Sequence, residues 1–195
     1  DLLKHEQITH VVHLASILQA SKDRERDFDI DVNGTRNVLK ACVEADVQHL
    51  TVTSSGAAYG YHADNDAWLD EHESPIRGNE AFAYSHHKRL VEEMLQEYRE
   101  KYPRLAQLIF RPGTVLGAGV SNQITALFEK PVILGLRDVA TPFVFIWDQD
   151  VLAAMEMGIR DDRQGILVGH RIAERLRLEP GERIVLAGAH DSLHL

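Results

Sequence analysis

Short apolar runs, rich in β-branched residues, alternate along the chain with longer segments in which apolar residues recur every three or four positions. The short runs predict buried strands, and the longer spacing predicts amphipathic helices. The predicted strands are residues 10–15, 49–53, 106–110 and 143–147, and the predicted helices are residues 31–42, 82–102 and 150–158.

Strands that alternate with helices at this spacing predict βαβ units. We therefore expect an α/β fold built on a doubly wound parallel sheet. In such sheets, ligands bind beyond the carboxyl ends of the strands. Ser16, Ser55 and the turn at 112–114 each follow a predicted strand, so we expect them to meet at one edge of the sheet.

The composition is that of a soluble globular protein, since 44% of the 195 residues are hydrophobic and 26% are charged. This length is enough for one domain with a sizeable core. The formal net charge of −9 argues against a nucleic-acid or anionic-membrane partner. The sequence has neither an apolar run of about 18–20 residues nor a signal-peptide pattern. Its single cysteine, Cys42, excludes an internal disulfide, and together these features predict a cytoplasmic protein.

A tyrosine and a lysine four residues apart, Tyr84 and Lys88, lie in the second predicted helix. Residues at this spacing share one face of a helix, and an ammonium favours the phenolate form of a neighbouring phenol. We therefore expect Tyr84, with an ordinary pKa of about 10, to ionise nearer neutrality and to act in proton transfer. A serine pair, Ser54 and Ser55, follows the second predicted strand. Both pairs also have a structural explanation, because Tyr84 and Lys88 could lie on a solvated helix face and the two serines could cap a turn.

Taken together with the βαβ frame and with Asn33 at the head of the preceding helix, these residues resemble the extended short-chain dehydrogenase/reductase family. That family includes nucleotide-sugar epimerases and dehydratases. The resemblance covers about residues 1–166. The matching stretches are 13–16 (HLAS), 33–39 (NGTRNVL), 53–60 (TSSGAAYG), 84–88 (YSHHK), 111–117 (RPGTVLG) and 145–151 (FIWDQDV).

The resemblance implies an NAD- or NADP-dependent oxidoreductase that acts on a hydroxyl or keto carbon, with a nucleotide sugar as the small-molecule substrate. Tyr84 would be the general base, and Lys88 would hold the nicotinamide ribose and lower the pKa of the tyrosine. Ser55 would hydrogen-bond the substrate oxygen. Asn33 would help to position its helix and a proton-relay water. The other residues implied to line the cofactor are Leu14, Ala15, Ser16, Thr53, Ser54, Pro112, Gly113, Thr114 and Val115.

The family resemblance also carries expectations about organisation. In the relatives, the helices that correspond to 33–45 and 82–102 build a dimer interface, so a homodimer is implied here. The sequence has no Gly-x-x-Gly-x-x-Gly turn of the kind that holds a dinucleotide pyrophosphate. We therefore expect residues 1–166 to form a partial NAD(P)-binding Rossmann-like domain. Residues 167–195, with a predicted helix and strand, would be part of a substrate lobe or a fused segment.

Two alternative functions are compatible with the same residues. Without the glycine-rich turn, the chain would also suit a non-catalytic scaffold or sensor related to the short-chain dehydrogenases. A simple ketone or aldehyde reductase of the same superfamily would use the same serine, tyrosine and lysine. The sequence does not decide among these functions, and it leaves open whether the chain is an active enzyme.

Two further side-chain types invite a binding interpretation. Arg111 could contact a substrate phosphate or pair with a carboxylate at the edge of the core. The 11 histidines could suggest a metal site, but they are scattered along the sequence. His10 and His13, three apart on a strand, face opposite sides of it. No metal site is therefore predicted.

Overall fold

The computed structural model describes residues 2–17, 21–122, 124–132 and 144–160. The predicted helix and strand within 167–195 lie outside the described residues. The strands are β1 (His10–His13), β2 (His49–Thr53), β3 (Ala106–Phe110), β4 (Thr114–Leu116) and β5 (Phe145–Trp147). The helices are α1 (Leu2–His5), α2 (Arg24–Phe28), α3 (Gly34–Glu44), α4 (Ala83–Lys101), α5 (Thr125–Phe128) and α6 (Asp148–Arg160).

Strands β1, β2 and β3 form a parallel sheet in that order. His49 of β2 is aligned with His10 on one side and with Ala106 on the other. Parallel neighbours need crossover connections, and α3 and α4 lie in the two crossovers. The predicted α/β fold with a parallel sheet is therefore confirmed.

Helices cover both faces of this sheet. Leu50 of β2 and Ile109 of β3 belong to a cluster that includes Leu95 of α4. Leu108 points to the opposite face, because successive side chains of a strand alternate, and it packs in a second cluster with Met155 of α6. The sheet lies between two helical layers, as the doubly wound arrangement requires.

The structure corrects expectations about the first strand, the last strand and the last helix. The first strand ends at His13, and Val12 is 41% exposed rather than buried, because β1 is the edge of the described sheet. Residue 143 lies outside the described residues, and the last strand, β5, pairs with β4 in a separate two-stranded sheet. Helix α6 follows β5 directly at Asp148, earlier than predicted, because carboxylates are favourable in the first turn of a helix.

Two short turns bring polar residues to the carboxyl edge of the main sheet. Between α2 and α3 the chain makes a π-helical turn, Asp29–Asn33, a distortion that occurs often at functional sites. After β2, Ser55 caps a 3₁₀ turn, Gly56–Tyr59. These two turns and the start of α4 surround the candidate site.

Candidate active site

Tyr84 and Lys88 lie on one face of the first turns of α4, as predicted from their spacing. The Lys88 ammonium is 5.5 Å from the centroid of the Tyr84 ring. Lys88 is only 6% exposed, and its Nζ donates a hydrogen bond to the carbonyl oxygen of Thr53 at 3.1 Å. The lysine therefore connects the tyrosine to the carboxyl end of β2.

The expected low pKa of Tyr84 is not found in this structure. Burial raises the pKa of Tyr84 above its ordinary value, a hydrogen bond with Ser55 opposes that change, and the charge of Asp31 adds to it. Burial also lowers the pKa of Lys88, against the attraction of Asp31 and Glu92. For Tyr84, burial is the largest of these effects, so the phenol is protonated at neutral pH.

The two serines that follow β2 have different surroundings. The Ser55 hydroxyl accepts a hydrogen bond from the Ala57 amide at 3.1 Å and interacts with Tyr84. Ser54 is 3% exposed, and its hydroxyl donates to Glu92 Oε1 at 2.6 Å. Ser55 is therefore the serine that faces the tyrosine, whereas Ser54 is bonded inside the protein.

A buried carboxylate–imidazole pair lies beside Tyr84 and Lys88, and sequence reasoning missed it. His87 Nδ1 is 2.9 Å from Asp31 Oδ2, and the two side chains are 7% and 5% exposed. The other oxygen, Asp31 Oδ1, accepts from the Ser16 hydroxyl at 3.0 Å and from the Ile17 amide at 2.8 Å. The available signal was His87 three residues after Tyr84, a spacing that places both on the same helix face.

Two small cavities adjoin this pair, and Asp31 and His87 line both of them. Tyr84 lines the second cavity, together with Ile17. The predicted cofactor residues that line the first cavity are Ala15, Ser16, Thr53 and Lys88.

Arg111 pairs with a carboxylate, which decides between the two roles considered for it. Its Nε donates to Glu92 Oε1 at 2.8 Å, and its Nη2 donates to Glu92 Oε2 at 2.6 Å. A third donor, Nη1, bonds the Tyr59 hydroxyl at 2.8 Å. Arg111 therefore fastens the end of β3 to α4 and to the turn after β2.

The model of the NAD dependent epimerase/dehydratase family matches residues 1–155. The chain belongs to this family. Among curated relatives, it is 36% identical over 104 residues to N-acetyl-alpha-D-glucosaminyl-diphospho-ditrans,octacis-undecaprenol 4-epimerase of Escherichia coli O157:H7. The match covers 53% of this chain and 30% of that relative. The match thus spans less than a third of the length of this epimerase.

Solved structures of epimerases share the fold of this family member. One is UDP-glucose 4-epimerase of Thermus thermophilus in complex with NAD, with a TM-score of 0.65, 24% identity and coverage of 80% of this chain and 55% of that one. Another is UDP-glucuronic acid 4-epimerase of Bacillus cereus in complex with NAD, with a TM-score of 0.67, 19% identity and coverage of 85% and 53%. These similarities confirm the Rossmann-like fold.

Other predicted residues of this epimerase/dehydratase chain lie away from the two cavities. The Asn33 amide donates to Asp29 Oδ1 at 2.9 Å, its oxygen accepts from Arg36, and Asn33 lines neither cavity. The nearby polar group is Asp31 instead. Leu14 is 59% exposed.

The predicted segment 112–115 is placed partly in a strand rather than wholly in a turn. The carbonyl of Pro112 accepts from the Gly56 amide at 3.1 Å, close to Ser55. A Cβ at Gly113 would come within 2.8 Å of the Val144 carbonyl oxygen, so glycine is needed for this close approach. Thr114 and Val115, which line neither cavity, belong to β4.

Two kinds of feature are absent from the described part of this family member. No group of three or more histidine, cysteine, aspartate or glutamate side chains there could hold a metal ion. Likewise, none of the helices within that part is long and apolar enough to cross a membrane.

Proposed function

We propose that this chain carries the proton-transfer site of an NAD-dependent epimerase or dehydratase that acts on a hydroxyl or keto carbon of a nucleotide sugar. The observation that supports this most directly is the meeting of Tyr84, Lys88 and Ser55 at the carboxyl edge of the sheet. The names of the relatives, which are sugar 4-epimerases, support the substrate class. Because the chain spans only part of those proteins, the activity of the whole protein is part of the proposal.

The residues around Lys88 suit a nicotinamide ribose. An ammonium has three donors, and the bond to Thr53 uses one of them. The Ser16 hydroxyl lines the same cavity and adds a polar group that a ribose hydroxyl could meet. The solved relatives named above contain NAD, so NAD is proposed ahead of NADP. When bound, the cofactor would accept a hydride from the substrate carbon.

Tyr84 would move the proton at the substrate oxygen. Its raised pKa keeps the phenol protonated at neutral pH, so Tyr84 is ready to donate a proton to a keto oxygen. In the opposite direction the phenolate form of Tyr84 would take the proton of a substrate hydroxyl and become the phenol again, and a nearby positive charge is needed to stabilise that phenolate. Lys88 supplies that charge 5.5 Å from the ring. Ser55 would hydrogen-bond the same oxygen as charge develops on it.

A binding measurement tests the cofactor half of this proposal. NAD would be titrated into the whole protein and followed by calorimetry, with Lys88→Met as the variant and Lys101→Met, at the exposed end of α4, as the control. We expect saturable binding that Lys88→Met weakens and Lys101→Met leaves unchanged. Absence of saturable binding by the wild type would instead support a non-catalytic scaffold. The same titration with NADP decides between the two cofactors.

The domain organisation and assembly implied by the family are also proposals. Residues 1–166 would form the partial cofactor-binding domain, with 167–195 as part of a substrate lobe or a fused segment. The helices at 33–45 and 82–102 would pair with their copies in a homodimer. Sedimentation velocity measures the mass directly, and a monomer at micromolar concentration would contradict the dimer.

A further inference from the structure

The buried Asp31–His87 pair has no role in the function proposed above. It lies in the wall shared by the two cavities, next to both members of the Tyr84–Lys88 pair. Taking a carboxylate out of water costs several kcal/mol unless hydrogen bonds and charges compensate. A buried carboxylate at this position therefore needs a structural or chemical reason.

The hydrogen bonds of Asp31 connect two parts of the site. Through Oδ1 it holds Ser16 and Ile17, which follow β1 and belong to the region proposed to contact the cofactor. Through Oδ2 it meets His87, which lies between Tyr84 and Lys88 on α4. One carboxylate thus joins the loop after β1 to the helix that carries the tyrosine and the lysine.

The charge of Asp31 also acts on that tyrosine and that lysine. It raises the pKa of Tyr84 and opposes the lowering of the pKa of Lys88. A negative charge has this effect because it disfavours the phenolate and favours the ammonium. The titratable groups that line the same two cavities as Asp31 are Tyr84, His87 and Lys88 from α4, Asp27 from α2 and His13 from β1, and Tyr61 interacts electrostatically with Tyr84.

We infer that the Asp31–His87 pair is a positioning unit of the site, which holds α4 against residues 16–17 and keeps a carboxylate charge beside Tyr84. The importance of this unit for turnover rests on the proposed function, but its effect on Tyr84 does not. The negative charge of Asp31 favours the protonated form of Tyr84 and the charged form of Lys88. Without it, Tyr84 ionises at lower pH.

The test is a pH titration of Tyr84 by NMR in protein labelled with carbon-13 at the tyrosine ring. The Tyr84 signal is identified by its loss in Tyr84→Phe. We expect Asp31→Asn to shift the Tyr84 titration to lower pH. The matched control is Asp29→Asn, an exposed carboxylate of the same π-helical turn, which should leave the titration at the wild-type pH.

A second variant covers the case in which Asp31→Asn does not fold. The double variant Asp31→Asn/His87→Gln replaces the pair with two neutral amides that can still hydrogen-bond to each other, and it should give the same shift to lower pH. A Tyr84 titration at or above the wild-type pH in either folded variant would overturn the inference. Because this readout needs neither cofactor nor turnover, its failure is distinct from failure of the proposed function.

Discussion

Arg111 and Glu92 form a bidentate ion pair, in which the closest nitrogen and oxygen are 2.6 Å apart. The Glu92 side chain is 4% exposed and also accepts a hydrogen bond from the Ser54 hydroxyl. The pair therefore connects the residue after β3, the residues after β2 and the middle of α4. It fixes the helix that carries Tyr84 and Lys88 relative to the sheet.

Replacing Arg111 by methionine should strongly destabilise the fold. The change leaves a buried carboxylate without its partner, which costs about 3–5 kcal/mol. Urea unfolding measures the free-energy difference. The control is Arg77→Met, whose partner Asp64 has a side chain that is 74% exposed. An exposed pair of this kind contributes little to stability, so equal losses in the two variants would contradict the account.

The stability of the fold should fall on mild acidification because of His13. Burial, with a smaller contribution from the Lys88 charge, lowers the pKa of His13 below 6.5. The unfolded chain then binds a proton more readily than the folded one. This contribution is fully present above about pH 6.5 and is lost as the pH falls from there through the lowered pKa.

The variant His13→Asn isolates this effect. Its free energy of unfolding, measured from about pH 7 to pH 5, should depend less on pH than that of the wild type. The control His5→Asn changes a histidine whose side chain is 82% exposed and should keep the wild-type slope. A wild-type slope in His13→Asn would show that another group is responsible.

Cys42 should be unreactive in the folded protein. It is 0% exposed, and burial raises its pKa to about 11, so little of the reactive thiolate is present at neutral pH. Ellman's reagent should label it slowly in buffer and rapidly in urea. It is the single cysteine of the chain, so the signal needs no assignment. Equal rates in the two solutions would contradict the buried position.

The two adjacent serines should have separable effects on Tyr84. The hydrogen bond from Ser55 lowers the pKa of Tyr84, so Ser55→Ala should move the Tyr84 titration to higher pH. Ser54→Ala removes a buried bond to Glu92 instead. It should reduce stability by about 1–3 kcal/mol and leave that titration unchanged. The expectation fails if Ser54→Ala shifts Tyr84 as much as Ser55→Ala does.

The sequence predicted the parts of the fold that depend on regular spacing. Strands β2 and β3 have the predicted bounds, and α4 differs by only a residue at each end, because their apolar periodicity is strong. The short β4 was missed, since three residues after a Pro-Gly turn carry too little periodicity. The exposure of Val12 depends on the neighbours of β1 in the sheet, which the pattern of a single strand does not contain.

In the site, the sequence pattern singled out Asn33, whereas the structure places Asp31 against α4. Both are polar residues near the start of the same helical segment, and the π-helical turn determines which one points to α4. A regular helical pattern gives no warning of that turn. The pKa of Tyr84 was expected in the wrong direction for a related reason. The Tyr-x-x-x-Lys spacing shows the lysine but not the burial that raises the pKa of the tyrosine.

The most direct test of the account is the rate at which the whole protein, supplied with NAD, interconverts the 4-epimers of a UDP-sugar, followed by proton NMR. We expect Tyr84→Phe to lose about 10²–10⁴-fold in rate, the usual contribution of a general acid–base. The matched control Tyr102→Phe changes a tyrosine just after the far end of α4 and should keep the wild-type rate. Epimerisation by Tyr84→Phe at the wild-type rate would contradict the central claim that Tyr84 moves the substrate proton.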